Sequence, residues 1–171
     1  MPHNLELKAR IASIDVAEAT ARRIGASPMG ILSQRDTYFI VRTGRLKLRE
    51  FGDGTAELIA YERDERLPER WSHYEKVEVN APEGLRRLLQ RACGILAEVR
   101  KVRLIYQFRE CRIHLDRVEG LGTFLEFEVQ DLGRGESERL MEEVRGQFSV
   151  RPADVIQGSY SDMVSGDSQR A

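Results

Sequence analysis

A regular alternation of charged and apolar residues over positions 112–129 limits the folds open to this chain more than any other feature. Successive side chains of a strand point to opposite faces, so the alternation predicts a β-hairpin whose glycine-containing turn lies near Gly120. The polar residues share one face in each half of this hairpin: Arg112, His114 and Asp116 in the first strand, and Glu126 and Glu128 in the second.

The two glutamates of the second strand give this polar face a specific chemistry. Glu126 and Glu128 are two residues apart on one strand, so they point the same way and can share a divalent cation. A glutamate pair of this kind is also common on a solvated strand face. The prediction of a site therefore depends on whether similar faces occur elsewhere in the chain.

Three further segments repeat the pattern of cations or carboxylates on one face and apolar residues on the other. The charged or polar faces consist of Asn4, Glu6, Lys8 and Arg10; of Arg45, Lys47 and Arg49; and of Lys101 and Arg103. Ordinary solvated strands mix both signs with neutral polar residues. Faces this uniformly charged indicate a common surface that holds a polyanion and a metal ion.

The remaining periodicity predicts roughly eight strands and about three helices. Helical spacing occurs over residues 15–24, 82–94 and 136–148. Strands and helices do not alternate in the regular way that predicts a parallel sheet, so the sheet is expected to be mostly antiparallel. The apolar helix stripes need the apolar face of the sheet as their partner, which leaves the charged face for the inside. We therefore predict an α+β, mainly β fold: a closed eight-stranded antiparallel barrel with a polar charged lumen and helices on its apolar exterior.

Composition narrows the class of protein. The chain has 171 residues, 32% of them charged, and a formal net charge of −1, so no overall positive field indicates nucleic-acid binding. Cys93 and Cys111 have no metal-ligand spacing and form no disulfide framework. The beginning of the sequence has no apolar signal core, and no run reaches transmembrane length. We expect one cytoplasmic domain over residues 1–164, a disordered tail over residues 165–171, and no membrane partner.

The order of these motifs resembles that of the CYTH domain family, also called the triphosphate tunnel metalloenzymes, and in particular its class IV adenylate cyclase-like branch. The resemblance covers about residues 3 to 163. It is carried by Glu6-Leu7-Lys8, Gly44-Arg45-Leu46-Lys47-Leu48-Arg49, Leu58-Ile59-x-Tyr61-x-Arg63, Val99-x-Lys101-x-Arg103, Arg112-Ile113-His114-Leu115-Asp116 and Glu126-Phe127-Glu128.

The resemblance implies a tunnel that binds a small-molecule triphosphate together with Mg²⁺ or Mn²⁺. It implies Glu6, Glu126, Glu128 and Asp116 as metal ligands, and Glu6, Lys8, Glu126 and Glu128 as catalytic residues. The implied phosphate-binding residues are Lys8, Arg10, Arg45, Lys47, Arg63, Lys101, Arg103 and Arg112. A homodimer is compatible with this assignment.

Two positions depart from the family pattern. The opening motif of the family is Glu-x-Glu-x-Lys, whereas this chain has Asn4 in the first position, and an amide offers a metal only a neutral oxygen. His114 stands where some triphosphatases of the family have an acidic residue. Both differences bear on the choice of metal or substrate.

Several functions remain open from the sequence. Within the family, the implied reactions are cyclisation of ATP with release of pyrophosphate and hydrolysis of thiamine triphosphate, inorganic tripolyphosphate or a nucleotide. A non-catalytic domain that binds or senses polyphosphate or nucleotides is the alternative from another class. Asp36 fits a structural hydrogen-bonding role as well as a catalytic one.

Overall fold

A computed structural model of the chain describes residues 3–63, 70–133 and 135–166, with only the backbone of His3, Arg63 and Arg70. The eight strands are β1 (His3–Arg10), β2 (Ser27–Phe39), β3 (Arg45–Phe51), β4 (Ala56–Arg63), β5 (Arg70–Glu78), β6 (Ile95–Phe108), β7 (Cys111–Val118) and β8 (Gly122–Gln130). The helices are α1 (Ile14–Arg23), α2 (Pro82–Cys93), α3 (Glu136–Gln147) and α4 (Tyr160–Ser165), with a 3₁₀ turn over Pro152–Asp154.

The strands form one closed antiparallel barrel, as predicted. Their order around the barrel is β1-β5-β4-β3-β2-β6-β7-β8, and β8 pairs with β1 to complete the ring. The hairpin expected over residues 112–129 is β7 and β8, with Gly120 in the turn at a φ of 74°, a backbone conformation that glycine adopts without steric cost. Closure gives each of the eight described strands a hydrogen-bonded neighbour on both sides.

The largest apolar core lies outside the barrel wall, between the strands and two of the helices. Leu7, Leu115 and Phe127 of the strands are fully buried against Ala17 and Ala21 of α1 and Leu140, Met141 and Val144 of α3. This arrangement confirms a barrel whose apolar exterior is covered by helices. It leaves the charged faces of the strands pointing into the lumen.

Two local features define how α1 begins and how α2 packs. Ser13 caps α1 by accepting a hydrogen bond from the backbone N–H of Val16. Leu88 of α2 is 67% exposed, because α2 contacts the barrel mainly through Leu85 and Leu89.

The fourth helix, α4, was not predicted, because a segment of six residues is too short to show a helical period. It ends at Ser165, one residue beyond the predicted domain boundary. Residues 167–171, which make up most of the predicted tail, lie outside the described residues.

Candidate active site

The barrel encloses a cavity of about 280 Å³ whose wall receives side chains from every strand. Most of the residues predicted from the sequence line it together: Glu6, Lys8, Lys47, Lys101, Arg103, Arg112, Glu126 and Glu128. Strand register explains the arrangement of the carboxylates. Glu6 lies directly opposite Glu128, and Lys8 lies directly opposite Glu126, across the β1–β8 pair.

One group of cations is organised around a single carboxylate, Asp36 of β2. Arg49 donates to both carboxylate oxygens of Asp36 at 2.7 Å, and the Nζ atoms of Lys101 and Lys47 lie 3.0 and 3.3 Å from Oδ2. The Asp36 side chain is fully buried. Burial alone would raise the pKa of Asp36, but Arg49, Lys101 and Lys47 together hold it well below its ordinary value. We call Asp36, Lys47, Arg49 and Lys101 the cation cluster.

The two lysines of the cation cluster are less basic than lysines in water. Burial, reinforced by the positive charge of Arg49, lowers the pKa of Lys47 to about 7. Burial also lowers the pKa of Lys101 to about 8, against the opposing attraction of Asp36. Both amines therefore titrate close to neutral pH. A polyanion in the cavity would favour their charged forms.

A second group lies on β7 and β8 and contains the predicted metal-binding glutamates. His114 lies between them, with Nδ1 3.4 Å from Glu126 Oε1 and Nε2 3.6 Å from Glu128 Oε2. Glu126 is also 3.0 Å from Lys8 Nζ and 3.6 Å from Arg103 Nη2. Burial would raise the pKa of Glu126, but Lys8 and Arg103 hold it well below the ordinary value. We call Glu126, His114 and Glu128 the glutamate cluster.

Asn4, the departure from the family motif, contacts this cluster. Its side-chain amide donates a hydrogen bond to Oε1 of Glu128. A glutamate at this position would repel Glu128, whereas the amide holds that carboxylate in place. In this structure Asn4 therefore orients Glu128.

Asp116, predicted as a metal ligand, makes different contacts. Both of its oxygens accept hydrogen bonds from Arg103 at 2.7 Å, and Oδ2 also accepts one from the hydroxyl of Tyr160 at 2.8 Å. The residue is fully buried and is not part of the cavity wall. Asp116 thus holds Arg103 and Tyr160 in position, and its role towards a metal stays a prediction.

Three predicted phosphate-binding arginines are not among the residues of the cavity wall. Two of them make other contacts, and the side chain of the third lies outside the described residues. Arg10 is exposed and donates to the carbonyl oxygen of Leu121 at 2.8 Å. Arg45 forms a two-pronged ion pair with Asp162 of α4, at 2.6 and 3.0 Å. Arg63 is the last residue of β4, and its side chain lies outside the described residues.

Helix α4 inserts Tyr160 into one end of the barrel. The ring of Tyr160 packs against Phe124 with centroids 4.9 Å apart, and the Nζ atom of Lys8 lies 4.0 Å from the ring centroid. Burial raises the pKa of the Tyr160 hydroxyl well above its usual range, so the hydroxyl remains a hydrogen-bond donor to Asp116. Tyr160 is not among the site residues predicted from the sequence.

Sequence reasoning also left Arg49 out of the site, although it lines the cavity. The signal was present, since Arg49 continues the alternation of Arg45 and Lys47 on β3. Of these three cations, Lys47 and Arg49 contact Asp36, whereas Arg45 contacts Asp162 of α4.

The residues present can accommodate a magnesium or manganese ion only with help from other ligands. Within residues 3–63, 70–133 and 135–166, no three His, Cys, Asp or Glu side chains converge in the way a protein-only metal cage requires. Mg²⁺ commonly binds through one or two carboxylates while substrate phosphates and water complete its shell. The facing pair of Glu6 and Glu128 meets that smaller requirement.

A second cavity borders the same wall near the middle of β2 and the end of β3. Gln34, Phe51 and Lys101 border both cavities, whereas Arg35, Arg100 and Arg117 border only the second. Arg35 and Arg100 both contact Glu98, at 2.6 and 3.0 Å. Among the described residues, no helix is long and apolar enough to cross a membrane.

Comparison with known families agrees with this geometry. A family model described as the CYTH domain matches residues 2–160, which is nearly the whole chain. The chain belongs to the CYTH domain family. No curated protein is significantly similar to it in sequence.

Several solved structures of other proteins share the CYTH fold of this chain. A protein from Pyrococcus horikoshii OT3 is 25% identical, with a TM-score of 0.86 over 94% of this chain and 99% of the other. A candidate adenylate cyclase from Vibrio parahaemolyticus is 22% identical, with a TM-score of 0.75 over 94% and 96% of the two chains. A candidate adenylyl cyclase from Hippeastrum, described as having a dominant triphosphatase activity, is 14% identical, with a TM-score of 0.69 over 100% and 98%.

Proposed function

We propose that this CYTH protein is a divalent-metal-dependent enzyme that cleaves a triphosphate bound in the barrel. The observation that carries the proposal is the joint placement of the cation cluster and the glutamate cluster on one enclosed cavity. Guanidinium and ammonium groups bind phosphate oxygens, and carboxylates bind hard cations. Phosphoryl transfer depends mainly on such positioning and electrostatic stabilisation.

The charge of the cavity supports a requirement for metal. Among the described residues, seven cationic side chains and four carboxylates line it, and the buried Asp36 and Asp116 bring the carboxylates to six. These side chains together therefore bring the cavity close to neutral. A triphosphate of three to four negative charges would leave it strongly negative, and a divalent cation offsets that excess.

Each part of the wall has a separate task in this proposal. Lys47, Lys101 and Arg49 bind phosphate oxygens from the side of β2, β3 and β6, while Asp36 holds them in place. Arg112 is exposed and lines the cavity, so its guanidinium is available to a phosphate. Lys8 and Arg103 bind phosphate from the opposite side once the triphosphate competes with Glu126.

Glu6 and Glu128 would hold the metal, with Asn4 and His114 orienting Glu128. A bound Mg²⁺ or Mn²⁺ would neutralise charge on the phosphate oxygens and favour in-line attack at phosphorus. Attack by water would make the protein a triphosphatase, and attack by a ribose 3′-hydroxyl would make it an adenylate cyclase. The same residues serve both reactions.

A substrate panel separates these activities from each other and from simple binding. Purified protein is incubated with Mg²⁺ or Mn²⁺ and ATP, thiamine triphosphate or inorganic tripolyphosphate, and the products are separated by chromatography. Inorganic phosphate identifies a triphosphatase, whereas cyclic AMP with pyrophosphate identifies a cyclase. Tight binding with no product from any of the three would contradict the enzyme proposal and favour a polyphosphate-binding domain.

A further inference from the structure

The strands of the barrel are staggered, so parts of some strands extend beyond a neighbour that pairs with the rest of the strand. A segment with one unpaired side exposes backbone N–H and C=O groups that a further strand can bind. In β2, residues 27–32 pair with β6, whereas the pairing of β2 with β3 begins only at Gln34. One side of residues 27–32, which we call the β2 overhang, therefore has no strand partner in the part of the chain that the structure describes.

Two comparable segments are covered by other parts of the chain. The end of β1 extends beyond its pairing with β5, and there the backbone N–H of Ile156 donates to the carbonyl oxygen of Lys8 at 2.8 Å. The beginning of β6 precedes its pairing with β7, and there Val99 shares a buried apolar cluster with Tyr160 of α4. The segments that follow the third helix thus close both of these gaps.

A third segment of this kind is protected by charge. Residues 74–78 of β5, which we call the β5 overhang, pair with β4, but among the described residues the pairing of β5 with β1 reaches only to His73. The β5 overhang carries Glu75, Lys76 and Glu78. Charged side chains at an exposed strand edge discourage pairing with another chain.

The β2 overhang has neither form of protection. It lies within residues 24–34, the longest run without Asp, Glu, Lys or Arg in a chain of which 32% is charged. Met29 is 62% exposed and Ile31 is 68% exposed. Val102 of β6, which is 42% exposed, pairs with Ser33 and so shares the outer face of Ile31. An unpaired strand edge and an exposed apolar surface therefore coincide.

We propose that the β2 overhang pairs, antiparallel, with the β2 overhang of a second copy of this chain and so joins two barrels into a homodimer. The absence of charge selects this occupant. In a two-fold pair each residue lies near the same residue of the other copy or near its neighbours, so a charged overhang would repel its own copy. The uncharged overhang avoids that repulsion and offers no charge to attract a charged peptide.

The pairing is short and depends on side-chain contact as well. Pro28 has no N–H to donate, and the register of β2 with β6 shifts between Pro28 and Gly30. These features confine the new backbone hydrogen bonds to residues around Ile31. A stable interface buries about 1,200 Å² or more, so the outer apolar face of Ile31 and Val102 belongs to the contact. Assembly stops at two copies, because the other overhangs described above are covered or charged.

The first test is the oligomeric state of the full chain, measured by analytical ultracentrifugation over a range of concentrations. We expect the wild-type protein to form a dimer that dissociates on dilution. Ile31→Lys should raise the dissociation constant about 100-fold or more, because it brings like charges together in the contact. The exposed position of Ile31 makes the variant compatible with the fold, and an unchanged melting temperature verifies this.

A matched control and a rescue experiment locate the contact. Val77→Lys introduces the same charge on the β5 overhang, at a residue that is 61% exposed, and should leave the dissociation constant unchanged. Ile31→Glu alone should dissociate as Ile31→Lys does. An equimolar mixture of the two variants should form heterodimers, because opposite charges then meet. Such a rescue requires that the β2 overhang contacts its own copy.

Hydrogen exchange tests whether the contact involves the strand edge. The backbone amides of Ile31 and Leu32 should exchange more slowly as the concentration of wild-type protein rises, whereas those of residues 74–78 should not change. Concentration-independent exchange in a protein that dimerises would overturn the edge pairing.

The remaining outcomes also decide the proposal, independently of triphosphate binding. A wild-type monomer at every concentration, or a dimer that Ile31→Lys leaves intact, would overturn it. Loss of the dimer in Val77→Lys alone would move the contact to β5. Protection of the β2 overhang only after addition of another protein would assign this edge to a partner of different sequence, and would overturn the homodimer.

Discussion

The cation cluster and the glutamate cluster both contain carboxylates that face the lumen, but these carboxylates differ in burial and in how closely cations surround them. The side chain of Asp36 is fully buried, and three cations lie within 3.3 Å of it. The side chains of Glu126 and Glu128 remain 13% and 19% exposed, and their contacts with His114 are 3.4 and 3.6 Å long. The difference shows that carboxylates on similar alternating strands can have different roles. Asp36 holds the surrounding cations in place, whereas Glu128 remains accessible to a metal cation.

The largest effect should follow from removal of the Asp36 charge. Asp36→Asn leaves three cations close together in a buried site, and breaking a buried ion pair costs about 3–5 kcal/mol. Chemical denaturation should show a loss of that size in the free energy of unfolding. Glu98→Gln serves as the control, because Glu98 forms its ion pairs on a partly exposed surface and should cost about 1 kcal/mol or less. Similar losses in the two variants would mean that Asp36 is no special organiser.

Neutralising the glutamates should instead affect turnover. Glu128→Gln keeps the shape of the side chain but removes a charge that a hard cation requires, so turnover should fall on the order of 100-fold or more. Glu126→Gln removes the carboxylate that contacts Lys8 and Arg103, and turnover should fall there too, because these cations lose the group that positions them. Metal-free tripolyphosphate binding should remain or become tighter, most clearly in Glu126→Gln, which releases Lys8 and Arg103. Normal turnover in both variants would assign the glutamate cluster a structural role only.

Replacement of a cation on β3 should have an intermediate effect on tripolyphosphate affinity. Lys47 and Arg45 form a matched pair for this test, because they lie on the same face of one strand. Lys47→Met removes a charge that lines the cavity and should weaken metal-free tripolyphosphate binding by about 1.5–3 kcal/mol. Sequence alone predicts the same loss for Arg45→Met. The structure revises that expectation to a smaller loss, because Arg45 is bound to Asp162 and is absent from the described cavity wall. Equal losses in calorimetric titrations would show that Arg45 leaves α4 to bind phosphate.

The smallest effect should be a pH dependence of binding. Because the folded pKa of Lys47 is about 7 and the unfolded value is 10.5, the unfolded chain holds an extra proton between these pH values. The contribution of Lys47 to the stability of the free protein therefore rises with pH across this range. Metal-free tripolyphosphate needs the charged amine, so its affinity should fall as pH rises from 7 to 8.5, on the order of tenfold.

The control for this pH effect is Lys47→Met, titrated with tripolyphosphate under identical conditions. The variant should lose most of the pH dependence and retain the part that belongs to Lys101, whose pKa is about 8, and to the ligand itself. Parallel curves for the two proteins would show that Lys47 does not titrate on binding.

The alternation of charged and apolar residues was enough to predict the closed barrel and its charged lumen. It also placed Glu6, Lys8, Lys47, Glu126 and Glu128 in one cavity, because side-chain direction follows directly from strand periodicity. The family resemblance supplied the triphosphate and metal assignments, which the geometry alone does not identify.

Partners across the barrel could not be read from the sequence. The pairing of Arg103 with Asp116 depends on the register of β6 and β7, and that register is a property of the whole sheet. The pairing of Arg45 with Asp162 depends on α4, whose six residues show no helical period. Asp36 and Asp116 neutralise much of the positive charge of the lumen through such contacts between strands.

The central claim is that cations bind the triphosphate while Glu128 recruits the metal. Its most direct test is one calorimetric experiment: tripolyphosphate is titrated into the wild-type protein and into Glu128→Gln, first with a chelator and then with Mg²⁺. We predict that both proteins bind tripolyphosphate without metal and that Mg²⁺ strengthens binding in the wild-type protein only. No metal-free binding, or an equal response of the two proteins to Mg²⁺, would contradict this division of tasks.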